Sequence, residues 1–208
     1  MRYNWYAIKI VIICVIIWIL QQIIPPTTDN FALISSEFLF KPWIIVTYIF
    51  LHGGFSHIFG NMFALALFGS ILEKIIGGKK FLIVFFVSGI IAGIGSILFY
   101  EASIGASGAI YGIFGTLAIL RPKMTVYMGL GAPMPMIAAV FFWALLDFLG
   151  FFTALDNVAY AAHLFGLAFG LIYGFYLKKD YGENIISKRK PKADVSEEKI
   201  REWEDRWL

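Results

Sequence analysis

Six stretches of this chain are apolar for long enough to cross about 30 Å of hydrocarbon as a helix, at residues 6–24, 56–75, 81–99, 104–120, 134–152 and 158–177. A backbone inside lipid has no water to bond, so each stretch must satisfy its own N–H and C=O groups and becomes helical. The expectation is an all-α, polytopic membrane protein with one membrane domain over 1–177 and a polar tail over 178–208. Composition agrees, because 60% hydrophobic and 18% aromatic residues exceed what a soluble domain carries. The first stretch follows Arg2 and Lys9 as a signal peptide would, but IVIICVIIWILQQII is long and no small-residue cleavage site follows it, so it reads as a span. Cys14 is the only cysteine; a disulfide framework is excluded and a core position expected.

Basic residues set the expected orientation. With the N-terminus inside, Arg2, Lys9, Lys74, Lys79, Lys80, Arg121, Lys123 and the basic tail share one side, and only Lys41 lies opposite. By the positive-inside rule both termini are then cytoplasmic, and spans two, four and six run from outside to inside. A net charge of +3 distributed in this way reports topology and implies no nucleic-acid partner. The outer loop PPTTDNFALISSEFLFKPW presents Phe38, Leu39, Phe40 and Trp43, which suit either an element at headgroup level or a solvated loop. In the tail, KRKPK fits an anionic inner leaflet, and Ile200, Trp203 and Trp207 share one face of a short helix capped near Ser196.

Polar groups are costly inside spans, so each is a functional candidate. HGGFSHIFGN opens the second span with His57 and Asn61 four residues apart on one face. Ser107 lies near the start of the fourth span and His163 near the start of the sixth. These three helices run in the same direction, so the four groups are expected in one layer roughly 5–10 Å below the outer helix ends. Gly108, Gly112 and Gly115 in span four, and Gly166, Gly170 and Gly174 in span six, recur at the spacing that lets helices approach closely. His163 shares its face with those last three, so the two spans in contact would bring the imidazole to Ser107, as an activated nucleophile requires. Taken singly, each signal has a duller explanation: a membrane serine usually bonds its own i−4 carbonyl, and glycine faces mostly serve packing.

Taken together, GASG with Tyr111 four residues after the serine, HGGFSHIFGN in span two and AAHLFGLAFG in span six resemble the rhomboid intramembrane serine proteases, over about 6–177. The resemblance implies a six-transmembrane-helix rhomboid bundle that cuts single-pass transmembrane substrates near the outer face with a Ser-His dyad and no aspartate. By position it makes Ser107 the nucleophile, His163 the general base, and His57 and Asn61 the oxyanion donors beside the Ser107 N–H. It also implies that Tyr111 stacks on His163, that Gly105 leaves room at the substrate cleft, and that Glu73 and His52 are structural. No cofactor or metal is implied; the partners are membrane-protein substrates and the bilayer.

Other readings have less support. No HExxH occurs, and the histidines lack metal-ligand companions at useful spacing. A transporter would place its polar groups at the midplane, whereas this layer lies high. A client-binding relative without activity would be expected to lose the serine or the histidine, and both are present. Asp147, in WALLDFLGFF, lies near the outer end of span five, where water can reach it; an interface or loop contact is expected rather than a catalytic one. Span five and the loop Thr153 to Val158 are expected to gate the cleft.

Overall fold

A computed structural model describes residues 4–24, 26–128, 131–153, 158–182, 201, 202 and 206. Helix α1 (Tyr6–Ile23) leads into a long loop, which folds into α2 (Pro26–Phe31), strand β1 (Leu33–Ile34) and α3 (Ile44–Thr47). Then come α4 (Phe55–Ile76) and α5 (Gly78–Phe99). Strand β2 (Ala102–Ser103) pairs antiparallel with β1, and α6 (Ser107–Leu120) follows. The antiparallel hairpin of β3 (Thr125–Met128) and β4 (Ala132–Pro135) precedes α7 (Met136–Thr153) and α8 (Tyr160–Tyr181). Among the described residues five helices, α1, α4, α5, α7 and α8, are long and apolar enough to cross a membrane. With α6 the count reaches the expected six. The protein is an integral, multi-pass membrane protein.

The expected fourth span, 104–120, is corrected at its start: the helix begins at Ser107 itself. Fourteen residues make about 21 Å of helix, short of the hydrocarbon thickness, so α6 cannot reach both surfaces. Residues 100–106 lead to it without helix, tied by the β1–β2 pairs and by the Gly105 N–H bonding the Tyr48 carbonyl at 2.9 Å. Non-helical backbone at such depth is tolerated because the protein surrounds it. Every residue of α6 is buried except Ser107 and Tyr111.

Helix α6 is the centre of the bundle, held between α5 and α8 with α4 on a further side. A Cβ added at Gly166 would overlap the Gly108 carbonyl, and one at Gly170 the Gly112 carbonyl, so α6 and α8 touch backbone to backbone as their glycine spacing predicts. Thr116 Oγ1 bridges this seam, bonding the Gly112 carbonyl at 2.9 Å and the Gly170 carbonyl at 3.0 Å. Glu73, 1% exposed, accepts the Tyr6 and Ala7 N–H groups at 3.1 and 3.0 Å and so caps the otherwise unpaired N-terminus of α1. Cys14 is buried. Outward, Ile12, Ile16, Phe59, Phe63, Phe141 and Phe148 are exposed, the surface a bilayer covers.

At the end of the bundle opposite the start of α6, α8 continues past residue 177 to Tyr181, whose hydroxyl accepts from Lys80 Nζ at 2.8 Å and whose carbonyl accepts from Arg121 at 2.6 Å. Leu39, Phe40 and Trp43 of the loop between α1 and α4 are exposed, while Phe38 packs against the core. The readings made of Ser196, Ile200, Trp203 and Trp207, of KRKPK, and of the middle of the loop after Thr153 lie outside the described residues.

Candidate active site

The two residues of α6 that escape burial face one cleft of about 1040 Å³, together with His57, Asn61 and His163. Four-residue spacing puts Ser107 and Tyr111 on one side of α6; the glycine seam puts α8 beside them. His163 Nε2 lies 2.9 Å from Ser107 Oγ. The Tyr111 ring stacks on the imidazole, centroids 4.4 Å apart and planes 12° from parallel. Tyr100 holds the start of α8 in place, its hydroxyl accepting the Ala161 N–H at 3.0 Å.

Across the cleft, His57 Nδ1 accepts the Gly53 N–H at 3.3 Å. An Nδ1 that accepts leaves the proton on Nε2, so the free edge of the ring is a donor. That edge faces Gly105, whose φ of 123° suits glycine, and where a side chain would come within 2.7 Å of His57 Nε2. The space at Gly105 is therefore taken by the His57 ring. Asn61 Nδ2 bonds the His57 carbonyl of its own helix at 2.9 Å and keeps a second N–H for the cleft. His52, 1% exposed, lies edge-on to His57 at 5.1 Å between centroids. Burial, with the neighbouring His57, lowers its pKa from 6.5 to about 4.

One expectation is overturned here. Asp147 is 5% exposed, and its Oδ2 lies 3.2 Å from His163 Nδ1, so it is withdrawn from the solvent expected to reach it. Helix α7 runs antiparallel to α8, so a residue six positions before the end of α7 faces one three positions after the start of α8. Distance from the helix end suggested solvent, but the face on which Asp147 sits turns inward. A charged residue flanked on both sides by apolar ones was the available signal, since such groups turn to the protein interior and find a partner.

A bundle of apolar helices holding a serine and a histidine in hydrogen-bond contact within a cleft defines a multi-pass membrane protein with a polar pair set inside its apolar bundle. The chain belongs to the rhomboid family: the rhomboid domain matches residues 40–180. It is similar to a protein of Bacillus subtilis (strain 168) that carries the name "Putative rhomboid protease YdcA", 34% identical over 64% of this chain and 66% of that one. Similarity extends to the rhomboid protease GlpG of Yersinia pseudotuberculosis serotype I (strain IP32953), 29% identical over 82% of this chain and 62% of the relative. To GlpG of Yersinia pestis (strain Pestoides F) the identity is 30% over the same shares, 82% and 62%. The chain thus spans slightly under two thirds of the length of these curated relatives.

Proposed function

We propose that this protein is an intramembrane serine endopeptidase that cleaves transmembrane segments of membrane proteins near the outer face. The observation that carries the proposal is the 2.9 Å contact between Ser107 Oγ and His163 Nε2, set in a cleft within an apolar bundle. A hydroxyl is a weak nucleophile until a base accepts its proton. His163 Nε2 takes that proton as Oγ attacks the scissile carbonyl, then returns it to the leaving amine as the acyl-enzyme forms. Water, deprotonated by the same nitrogen, hydrolyses the ester and frees Ser107.

Between these steps the carbonyl oxygen carries a negative charge that needs donors aimed at it. As the first helical residue, Ser107 offers a backbone N–H that the helix itself leaves unpaired, with the dipole favouring an anion. His57 Nε2–H and the second Asn61 N–H add side-chain donors, each of a kind worth about 2.7–4 kcal/mol of barrier. Tyr111 keeps the imidazole in plane.

The substrate is a membrane-embedded, single-pass segment, because the cleft lies in a bundle whose exterior is rich in exposed Ile, Leu and Phe side chains. Lys74, Lys79, Lys80, Arg121 and Lys123 crowd the opposite end of the bundle, which supports an outward-facing cleft with both termini cytoplasmic. Residues 1–177 then form the catalytic membrane domain, and 178–208 a tail at the inner leaflet. Purified protein exposed to a fluorophosphonate probe and to a model single-pass substrate is expected to take label on Ser107 and to cut. Ser107→Ala should do neither, with an unchanged melting temperature since one oxygen is lost. Cleavage by that variant at the wild-type rate overturns the proposal.

A further inference from the structure

Ser107 and His163 do not exhaust the polar contacts of the cleft, because the far nitrogen of the imidazole is also engaged. Asp147 Oδ2 lies 3.2 Å from His163 Nδ1, with both side chains largely buried. Among the described residues of α7 the buried ones are Met136, Ala139, Val140 and Asp147. The first three crowd one end. In the last thirteen residues of the helix, then, the side chain fully withdrawn from the exterior is the charged one, while Leu145, Leu146, Phe148 and Leu149 on either side stay exposed. An ionisable group in a membrane helix turns inward only where a partner receives it, and the partner here is the candidate base. Tyr111, stacked on the same ring, is also within interaction range of the carboxylate.

Resting on the serine-peptidase reading above, we infer that Asp147 is a positioning residue for His163, so that this chain operates with a Ser-His-Asp relay assembled from α6, α8 and α7. A carboxylate oxygen only accepts hydrogen bonds. Its contact therefore places the imidazole proton on Nδ1 and turns the Nε2 lone pair to Ser107, the tautomer a general base requires. Stacking by Tyr111 holds the plane of the ring but leaves the choice of protonated nitrogen open; Asp147 makes that choice. The same contact holds the imidazolium that forms when Ser107 gives up its proton, the role an aspartate has in other serine hydrolases. No atom is transferred to Asp147, which stays a carboxylate throughout.

Two readouts on the full-length protein test this, one of them independent of activity. The chain has three histidines, so a ¹⁵N spectrum of labelled protein is assigned by replacing each in turn. The expected spectrum has the His163 proton on Nδ1 in the wild type and a mixture of tautomers in Asp147→Asn; an unaltered tautomer in that variant overturns the inference whatever the protein cleaves. In kinetics, Asp147→Asn and Asp147→Ala are expected to slow probe labelling of Ser107 and lower kcat by at least about tenfold, with KM little changed, up to the roughly 10⁴-fold known for the comparable change elsewhere. Asp147→Glu should recover part of kcat. The near-isosteric Asn variant keeps the test alive if Ala unfolds. Labelling within twofold of wild type for Asp147→Asn sinks the inference and leaves the peptidase reading standing, whereas a wild-type protein that takes no label sinks the peptidase reading itself.

Discussion

Tyr111 covers the face of His163 in a parallel stack, centroids 4.4 Å apart, while the base bonds Ser107 through Nε2 and Asp147 through Nδ1. One ring is thus held on its face and at both nitrogens. Face and edge restrain different motions: stacking stops the ring from tilting out of its plane, and the two in-plane contacts stop it from swinging within that plane.

Separate variants should therefore report the two restraints. Tyr111→Phe keeps the stack and is expected to retain most of kcat; Tyr111→Ala removes it and should lower kcat by roughly ten- to a hundredfold, since a slight misplacement of a reacting group has that scale of cost. Steady-state kinetics on a model substrate measure both. Equal activity in the Phe and Ala variants would show that the stack does not orient the base.

Asn61, which lines the cleft, has one amide N–H occupied by the His57 carbonyl, which fixes the group and leaves the other N–H available as a donor. A donor that meets charge only in the transition state changes kcat and leaves substrate binding alone. Asn61→Ala is expected to lower kcat roughly ten- to a thousandfold with KM nearly constant. A change confined to KM would make Asn61 a substrate-positioning group instead.

Much of this site was legible in the sequence, and the reason is the solvent. In lipid a polar side chain needs a purpose, so Ser107, His57, Asn61 and His163 stood out against apolar neighbours, and the glycine spacing named the two helices that touch. Asp147 was harder. Its neighbours are apolar on every side of α7, so no periodicity showed which face turns inward, and position along the helix pointed to water. The start of α6 was also misplaced, because Ile104, Gly105 and Ala106 extend the apolar run without extending the helix. For the strands at 125–128 and 132–135 no long alternating pattern was present, since Gly129, Gly131, Pro133 and Pro135 interrupt the sequence.

Acid should destabilise the protein partly through His52. Its pKa in the fold is about 4, against 6.5 ordinarily. The unfolded chain therefore binds the extra proton first, and stability falls as pH drops from about 6.5 toward about 4, being fully present above that range. Melting temperature measured from pH 7.5 to 4 in detergent should decline for the wild type, and less steeply for His52→Gln, which has no imidazole at that position. Parallel curves would assign the acid sensitivity to other groups.

The contact that everything else depends on is the seam between α6 and α8. At Gly170 an added Cβ would overlap the Gly112 carbonyl, and backbone cannot move aside as a flexible side chain could. Overpacking of this kind typically costs about 1–3 kcal/mol, and Thr116 would also lose its bond to the Gly170 carbonyl. Because His163 rides on α8 two turns from Gly170, separating the helices carries its imidazole away from Ser107. Gly170→Leu is expected to lower the melting temperature and the rate of probe labelling together. By contrast, His163→Ala should abolish labelling while the seam remains closed, with a smaller loss of stability that comes from leaving Asp147 without its partner. Labelling and melting temperature both unchanged in Gly170→Leu would mean that α8 meets α6 elsewhere, and the base would then have to come from a different residue.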